Sequence, residues 1–139
     1  MDLKTLTYTS RARLDLTARD LSDIHGTARH LNALDGVTGL LLFDGTRFLQ
    51  ILEGAGEAID NLVERLRRDP RHSELEIRDE RLVGERSFPG WSMELLNVSA
   101  GYLEARSEVE SMLPEGVSPA VRELILRMTD LMGRNVKMD

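Results

Sequence analysis

From Leu3 to Thr9 the chain alternates, with Leu6 and Tyr8 on one side and Thr5, Thr7 and Thr9 on the other. That alternation predicts a strand with one face in a core. Thr17, with Asp20 three residues later, predicts a capped helix start. Behind it Leu21, Ile24, Ala28 and Leu31 recur at spacings of three and four, an amphipathic helix of about four turns that Asp35-Gly36 stops. Val37 to Phe43 and Phe48 to Leu52 are apolar runs joined through Asp44-Gly45, the pattern of a β-hairpin. After Gly54 and Gly56, the positions Ile59, Leu62, Val63 and Leu66 mark a second amphipathic helix, ended before Pro70. Residues 74–83, with Leu75, Ile77, Leu82 and Val83, predict a fourth strand. Trp91 to Val98, after the turn Phe88-Pro89-Gly90, predict a fifth.

The order β-α-β-β-α-β-β predicts an α+β, ferredoxin-like sheet with two helices on one face. Crossover connections then put the first and third strands side by side at the sheet centre, expected to run parallel, with Tyr8 and Gln50 on those two strands. The tail differs. Residues 101–113 carry a weak helical pattern in Leu103, Val109, Met112 and Leu113. Beyond Pro114–Pro119, a seam follows in Val121, Leu124, Ile125, Met128, Leu131 and Met132. Four of the six methionines lie at or beyond position 112, and methionine suits adaptable contact surfaces. The chain therefore divides into a domain over 1–98 and a C-terminal helical extension over 99–139. The extension is expected to cover the free sheet face and to mediate oligomerisation or output.

Composition narrows the classes. The 139 residues carry a net charge of −6, with 41% apolar and 30% charged positions, an ordinary single-domain balance. An acidic chain repels phosphate backbones, which argues against direct nucleic-acid binding. With no cysteine, disulfides and thiolate chemistry are excluded. No apolar run approaches the length of a membrane span and no signal peptide is evident, so a cytoplasmic location is expected.

Two residues fit poorly in a simple core. Gln50 sits within Phe48-Leu49-Gln50-Ile51-Leu52, and an unmet hydrogen-bonding group in a buried amide costs roughly 1–3 kcal/mol. Tyr8 is its nearest partner by topology. A purely structural Tyr–Gln pair and a ligand site are both compatible with this. Ile24, Ala28 and Asn32 lie at four-residue steps on one helix face, where small residues and an amide leave room for a flat, hydrogen-bonding ligand. Asn32 acting only as a helix cap is the alternative. Gly54-x-Gly56 lacks the third glycine of a dinucleotide fingerprint. His25, His30 and His72 show no metal spacing, and no Gly-x-Ser-x-Gly elbow exists. Arg65, Asp69, Arg71 and His72 cluster at the end of the second helix, as a solvated helix end or an anion site.

Taken together, these residues resemble the BLUF family, sensors of blue light using flavin. The resemblance rests on Leu6-Thr7-Tyr8-Thr9-Ser10, and on Asn32 ahead of Gly36-Val37-Thr38-Gly39-Leu40-Leu41. It continues in Phe48-Leu49-Gln50-Ile51-Leu52-Glu53-Gly54, Asp69-Pro70-Arg71-His72 and Arg86-Ser87-Phe88-Pro89-Gly90-Trp91-Ser92-Met93. It implies a flavin, FAD with FMN as the alternative, lying between the two helices against the sheet. Its implied contacts are Tyr8, Ile24, Ala28, Asn32, Phe48, Gln50, Arg65, Asp69, Arg71 and His72. Tyr8 and Gln50 would run the photochemistry, and Trp91 and Met93 would relay it. Leu31 departs from the pattern, standing where many members carry Asn or His beside the flavin. The implied protein is a photoreceptor without enzymatic turnover, acting on a downstream protein or through a homodimer or larger oligomer. The competing readings are a small enzyme, with Tyr8 as acid and His72 as base, and a non-photoactive interaction module of the same fold.

Overall fold

The structure is a computed structural model that describes residues 3–90, 92–97, 107, 109–115, 117 and 119–137. Five strands, β1 (Leu3–Ala12), β2 (Thr38–Phe43), β3 (Arg47–Ala55), β4 (His72–Val83) and β5 (Ser92–Asn97), form one sheet in the order β4-β1-β3-β2-β5. Helix α1 (Ala18–Leu34) links β1 to β2, α2 (Gly56–Arg67) links β3 to β4, and α3 (Pro119–Lys137) belongs to the tail. The ferredoxin-like α+β architecture expected from the patterning is present.

Local chemistry sets the element ends. Thr17 Oγ1 accepts from Asp20 N at 3.0 Å while Asp20 Oδ2 accepts from Thr17 N at 3.0 Å, a reciprocal capping box at the start of α1. At the hairpin, Asp44 Oδ1 accepts from Thr46 N and Arg47 N at 2.9 and 2.7 Å, and Gly45 takes a φ of +98°. The first strand runs three residues beyond the predicted Thr9, because β4 continues to pair with it up to Ala12 across an irregularity near Ser10.

One expectation is corrected. β1 and β3 are neighbours, with Tyr8 opposite Gln50, but they run antiparallel. The α1 crossover makes β1 and β2 parallel to each other. The Asp44-Gly45 turn then reverses the chain, and β3 drops between them, antiparallel to both. The sheet's parallel pair is instead β2 with β5.

The two sheet faces hold separate cores. Leu6, Tyr8, Leu41, Phe43, Phe48, Leu52 and Met93 pack with Leu21 of α1 and with Ile59, Leu62 and Val63 of α2. On the other face Leu40, Leu42, Leu49 and Ile51 pack with Phe88, Val109, Leu113, Val117, Val121, Ile125 and Leu126. Covered on both sides, β2 and β3 read as near-continuous apolar runs, interrupted in β3 by Gln50 and Glu53. The tail does cover this second face, although its buried stripe differs slightly from the predicted seam: Leu126 is buried and Leu124 only half-buried. The side chains of Met128, Leu131 and Met132 lie outside the described residues. At the sheet edge, β4 is exposed and rich in charge, which discourages edge-to-edge pairing. Among the described residues no helix is long and apolar enough to cross a membrane.

Among the described glycines, Gly39 has the least room for a side chain. Its φ is +154°, and a Cβ there would stand 1.8 Å from the Ile51 carbonyl oxygen. Gly39→Ala should therefore lose about 3 kcal/mol of stability, read as a lowered midpoint in urea unfolding. A midpoint equal to the parent's would show that β2 can shift to admit the methyl group.

Candidate functional site

A cleft of about 720 Å³, its open mouth included, lies between α1, α2 and the sheet. Its walls are made by Tyr8 from β1, by Ile24, Ala28 and Asn32 from α1, and by Phe48 and Gln50 from β3. Arg65 from α2, Asp69 and Arg71 from the following turn, and His72 at the start of β4 complete the predicted set. All ten residues proposed from the sequence thus line one cleft. Leu31 lines it too, presenting hydrocarbon, as expected of a position that departs from the polar residue of the family pattern. Thr27, Leu41, Leu62 and Leu66 were not anticipated. They are ordinary apolar or surface positions in the pattern, and only the gap between the helices and the sheet makes them cleft residues. Trp91 lies outside the described residues.

The floor of the cleft is a chain of polar contacts. The Tyr8 hydroxyl donates to Gln50 Oε1 at 2.5 Å, and Gln50 Nε2 donates to Met93 Sδ at 3.1 Å. The amide orientation follows from these partners. Burial, and after it the negative charge of Asp69, pushes the Tyr8 phenol well above its ordinary value, so it stays protonated at neutral pH. Met93 is fully buried and takes a φ of +74°. A left-handed conformation at a side chain of this size costs on the order of 1–3 kcal/mol. Above the floor, both side-chain polar atoms of Asn32 are buried without a hydrogen-bond partner, on a residue 1% exposed. Such an amide is costly unless something else meets it.

The mouth is charged and internally tied. Arg71 grips Asp69, its Nη2 2.7 Å from Oδ2 and its Nε 2.9 Å from Oδ1. The guanidinium holds the Asp69 carboxyl below the usual carboxylate range, and Asp69 in turn raises Arg71. Arg65 reaches Asp35 at 3.2 Å on the surface. His72 Nε2 lies 2.6 Å from the Leu66 carbonyl and Nδ1 lies 2.7 Å from Ser10 Oγ. A carbonyl only accepts, so Nε2 carries a proton; in the neutral ring Nδ1 then accepts from Ser10.

A buried brace not foreseen in the sequence holds the segment leading into β5. Glu53, 1% exposed, accepts from Ser87 N and Phe88 N, each at 2.8 Å. Arg86 donates to Glu53 O and Thr38 Oγ1 at 2.9 Å and to Gly36 O at 2.8 Å. The signal was available: a carboxylate directly after a buried apolar run needs donors, just as Gln50 does.

The profile of BLUF, "sensors of blue-light using FAD", matches residues 3–94. The chain belongs to the BLUF family. This BLUF chain is 40% identical over 92 residues to the photoactivated adenylate cyclase subunit beta of Euglena gracilis, a match covering 66% of this chain and 11% of that protein. It is 37% identical over 70 residues to the blue light- and temperature-regulated antirepressor BluF of Escherichia coli K12, covering 50% of this chain and 17% of that one. The chain therefore spans only a small part of the length of these curated relatives. Among solved structures, the dark state of BlrB, a BLUF protein, superposes with a TM-score of 0.70 at 32% identity, over 97% of this chain and 95% of that one. A Klebsiella pneumoniae BlrP1 structure with FMN and cyclic diGMP superposes with a TM-score of 0.76 at 30% identity, over 92% of this chain and 35% of that one. The chain is a flavin-using blue-light sensor. Its similarity to the cyclase covers about a tenth of that protein, the length of the sensor domain.

The Asp69–Arg71 pair carries a pH signature. The folded-state pKa of Asp69 is lowered, so its contribution to stability is fully present above the unfolded-state value of about 4 and is lost as pH falls through the folded value. In acid-unfolding titrations Arg71→Met should flatten stability against pH below about 5. An acid limb identical to the parent's would refute a stabilising pair.

Proposed function

We propose that this BLUF chain senses blue light through Tyr8 and Gln50, with FAD held in the cleft between α1 and α2. FMN is the second reading, because the BlrP1 relative was solved with it. The observation that carries the site is Asn32. Its buried, unpartnered amide presents a donor NH₂ and an acceptor oxygen on a cleft wall shared with Ile24, Ala28, Leu31 and Phe48. A flat heteroaromatic ring with an adjacent carbonyl and ring N–H matches that pair of needs. Arg65, Asp69, Arg71 and His72 lie toward the mouth, where polar substituents of such a ring would exit. Leu31 adds apolar contact and no hydrogen bond.

When bound, the flavin supplies blue-light absorption and, once excited, a one-electron acceptor. The protein's part follows from the 2.5 Å bond between Tyr8 and Gln50. Tyr8 is the electron donor, and its phenol proton leaves along that bond to Gln50 Oε1. The protonated amide is then free to turn. Tyr8 recovers its electron and proton, so nothing is consumed, and Gln50 is left in an altered orientation or tautomer. In the ground arrangement Oε1 faces Tyr8 and Nε2 faces Met93; in the altered one these contacts are exchanged. By the family resemblance, the rearranged Gln50 would give the bound flavin a stronger hydrogen bond, which reddens the absorption, and the change passes through Met93 and Trp91 into β5. This is a local switch biased by one hydrogen bond.

The enzyme reading is weaker. Both ring nitrogens of His72 are engaged, with Leu66 O and Ser10 Oγ, which leaves no lone pair to act as base toward Tyr8. The segment from residue 99 onward, whose Val109, Leu113, Val117, Val121, Ile125 and Leu126 pack against the β2 and β3 side chains of the second sheet face, is read as the output segment of a cytoplasmic protein. It would engage a downstream protein or a second copy. Light scattering of the full chain, dark and illuminated, tests the second copy; a protomer mass in both states removes it.

The decisive measurement is an absorption spectrum. The purified protein should be yellow, shift to the red under blue light and revert in the dark. Tyr8→Phe and Gln50→Ala should keep the colour and abolish the shift. A colourless protein that takes up neither FAD nor FMN would refute the site, and a normal shift in Tyr8→Phe would refute the photochemical role.

A further inference from the structure

The β2–β5 pairing carries a defect at one position. Gly39 pairs with Ser92 and Leu40 with Glu94, so Met93 is an extra residue, bulged out of the ladder at a φ of +74°. A bulged residue loses its ladder partner, and its carbonyl has to be met from elsewhere. It is met from α1. His25 Nε2 lies 2.8 Å from the Met93 carbonyl oxygen. His25 is half-buried and stands outside the residues that line the cleft. Because the carbonyl only accepts, this bond requires the ring proton on Nε2.

We propose that His25 is a positioning residue for the Gln50 switch: its Nε2–H latches the β5 bulge that holds the Met93 sulfur against the Gln50 amide. The proposal rests on the photochemical reading of Tyr8 and Gln50. Two contacts fix the amide as it stands, Oε1 toward Tyr8 and Nε2 toward Met93. Turned over, the amide would set its oxygen against the thioether, which has no proton to give. The sulfur therefore favours the ground orientation, but only while Met93 stays in. β5 is the outermost strand on its side of the sheet, paired within it to β2 alone. The ladder holds the bulge from one side, and His25 holds it from the helix side. Without the latch the strained Met93 backbone can relax away, Gln50 loses the contact that favours its return, and the rearranged state persists.

Dark recovery after a blue pulse tests this in the full chain with its flavin. His25→Leu keeps the bulk and removes the donor; recovery should slow about fivefold, the effect of one net hydrogen bond. His25→Gln, which restores an N–H, should bring the rate back toward the parent's. In a Met93→Leu background the His25→Leu change should have no further effect. A parental rate in photoactive His25→Leu, or an equal slowing in the Met93→Leu background, overturns the proposal. A wild-type protein that shows no red shift overturns the photochemical reading itself. Nitrogen-15 NMR of the wild-type ring in the dark, at alkaline pH, is independent of how the variants fold. A neutral ring protonated on Nε2 is expected, and one protonated on Nδ1 rules out the latch.

Discussion

The constraint on which the rest of the site depends is that a glutamine amide cannot be left alone in a core. Gln50 sits in the middle of β3, 3% exposed, where each unmet polar atom is expensive. Its carbonyl is met by Tyr8 because β1 lies beside β3 in a register that sets residues 8 and 50 opposite each other. Its NH₂ is met by a sulfur, because β5 is bulged to turn Met93 inward. A thioether is a weak acceptor. The amide is thus satisfied strongly at one end and weakly at the other, which is the asymmetry a switch needs. With strong partners at both ends it would be locked, and with none it would not be buried.

Much of this was legible in the sequence, for a physical reason. Helix caps, apolar spacing and the Asp44-Gly45 turn are local signals, and they marked every element. Gln50 and Asn32 stood out because polar residues at apolar positions create a need that the pattern alone does not meet. The antiparallel run of β1 against β3 was not legible from strand adjacency: two strands can be neighbours in either sense, and here the direction follows from the hairpin reversal preceding β3. That Thr27, Leu41, Leu62 and Leu66 line the cleft rather than simply fill core or surface was not legible either, since it depends on where two helices leave a gap over a twisted sheet.

The buried brace of Glu53 and Arg86 belongs with Gln50 in a way that spacing did not reveal. Both Gln50 and Glu53 are on β3, and each reaches the chain around β5: Gln50 contacts Met93, and Glu53 holds the amides of Ser87 and Phe88. The carboxylate contact is charge-assisted and doubly met, hence firm. The sulfur contact is weak. The entry to β5 is anchored while the segment six residues further on is held lightly, so a change at Gln50 is resisted at the first point and expressed at the second.

That division also explains why strain is tolerated at Met93. A left-handed, bulky residue persists only where its surroundings over-determine it. Around Met93 those surroundings are the Glu53–Arg86 brace on one side in sequence, the β2 ladder beyond Leu40 on the other, and His25 from α1 across the bulge. The brace and the ladder are multiple and rigid, whereas His25 is a single hydrogen bond from a half-buried side chain. Of the three restraints it is the weakest, and the only one that couples the strained residue to α1. Since α1 also carries Ile24, Ala28 and Asn32 into the cleft, a ring seated against that helix and a bulge latched to it share one rigid element, and a displacement at either end is felt at the other.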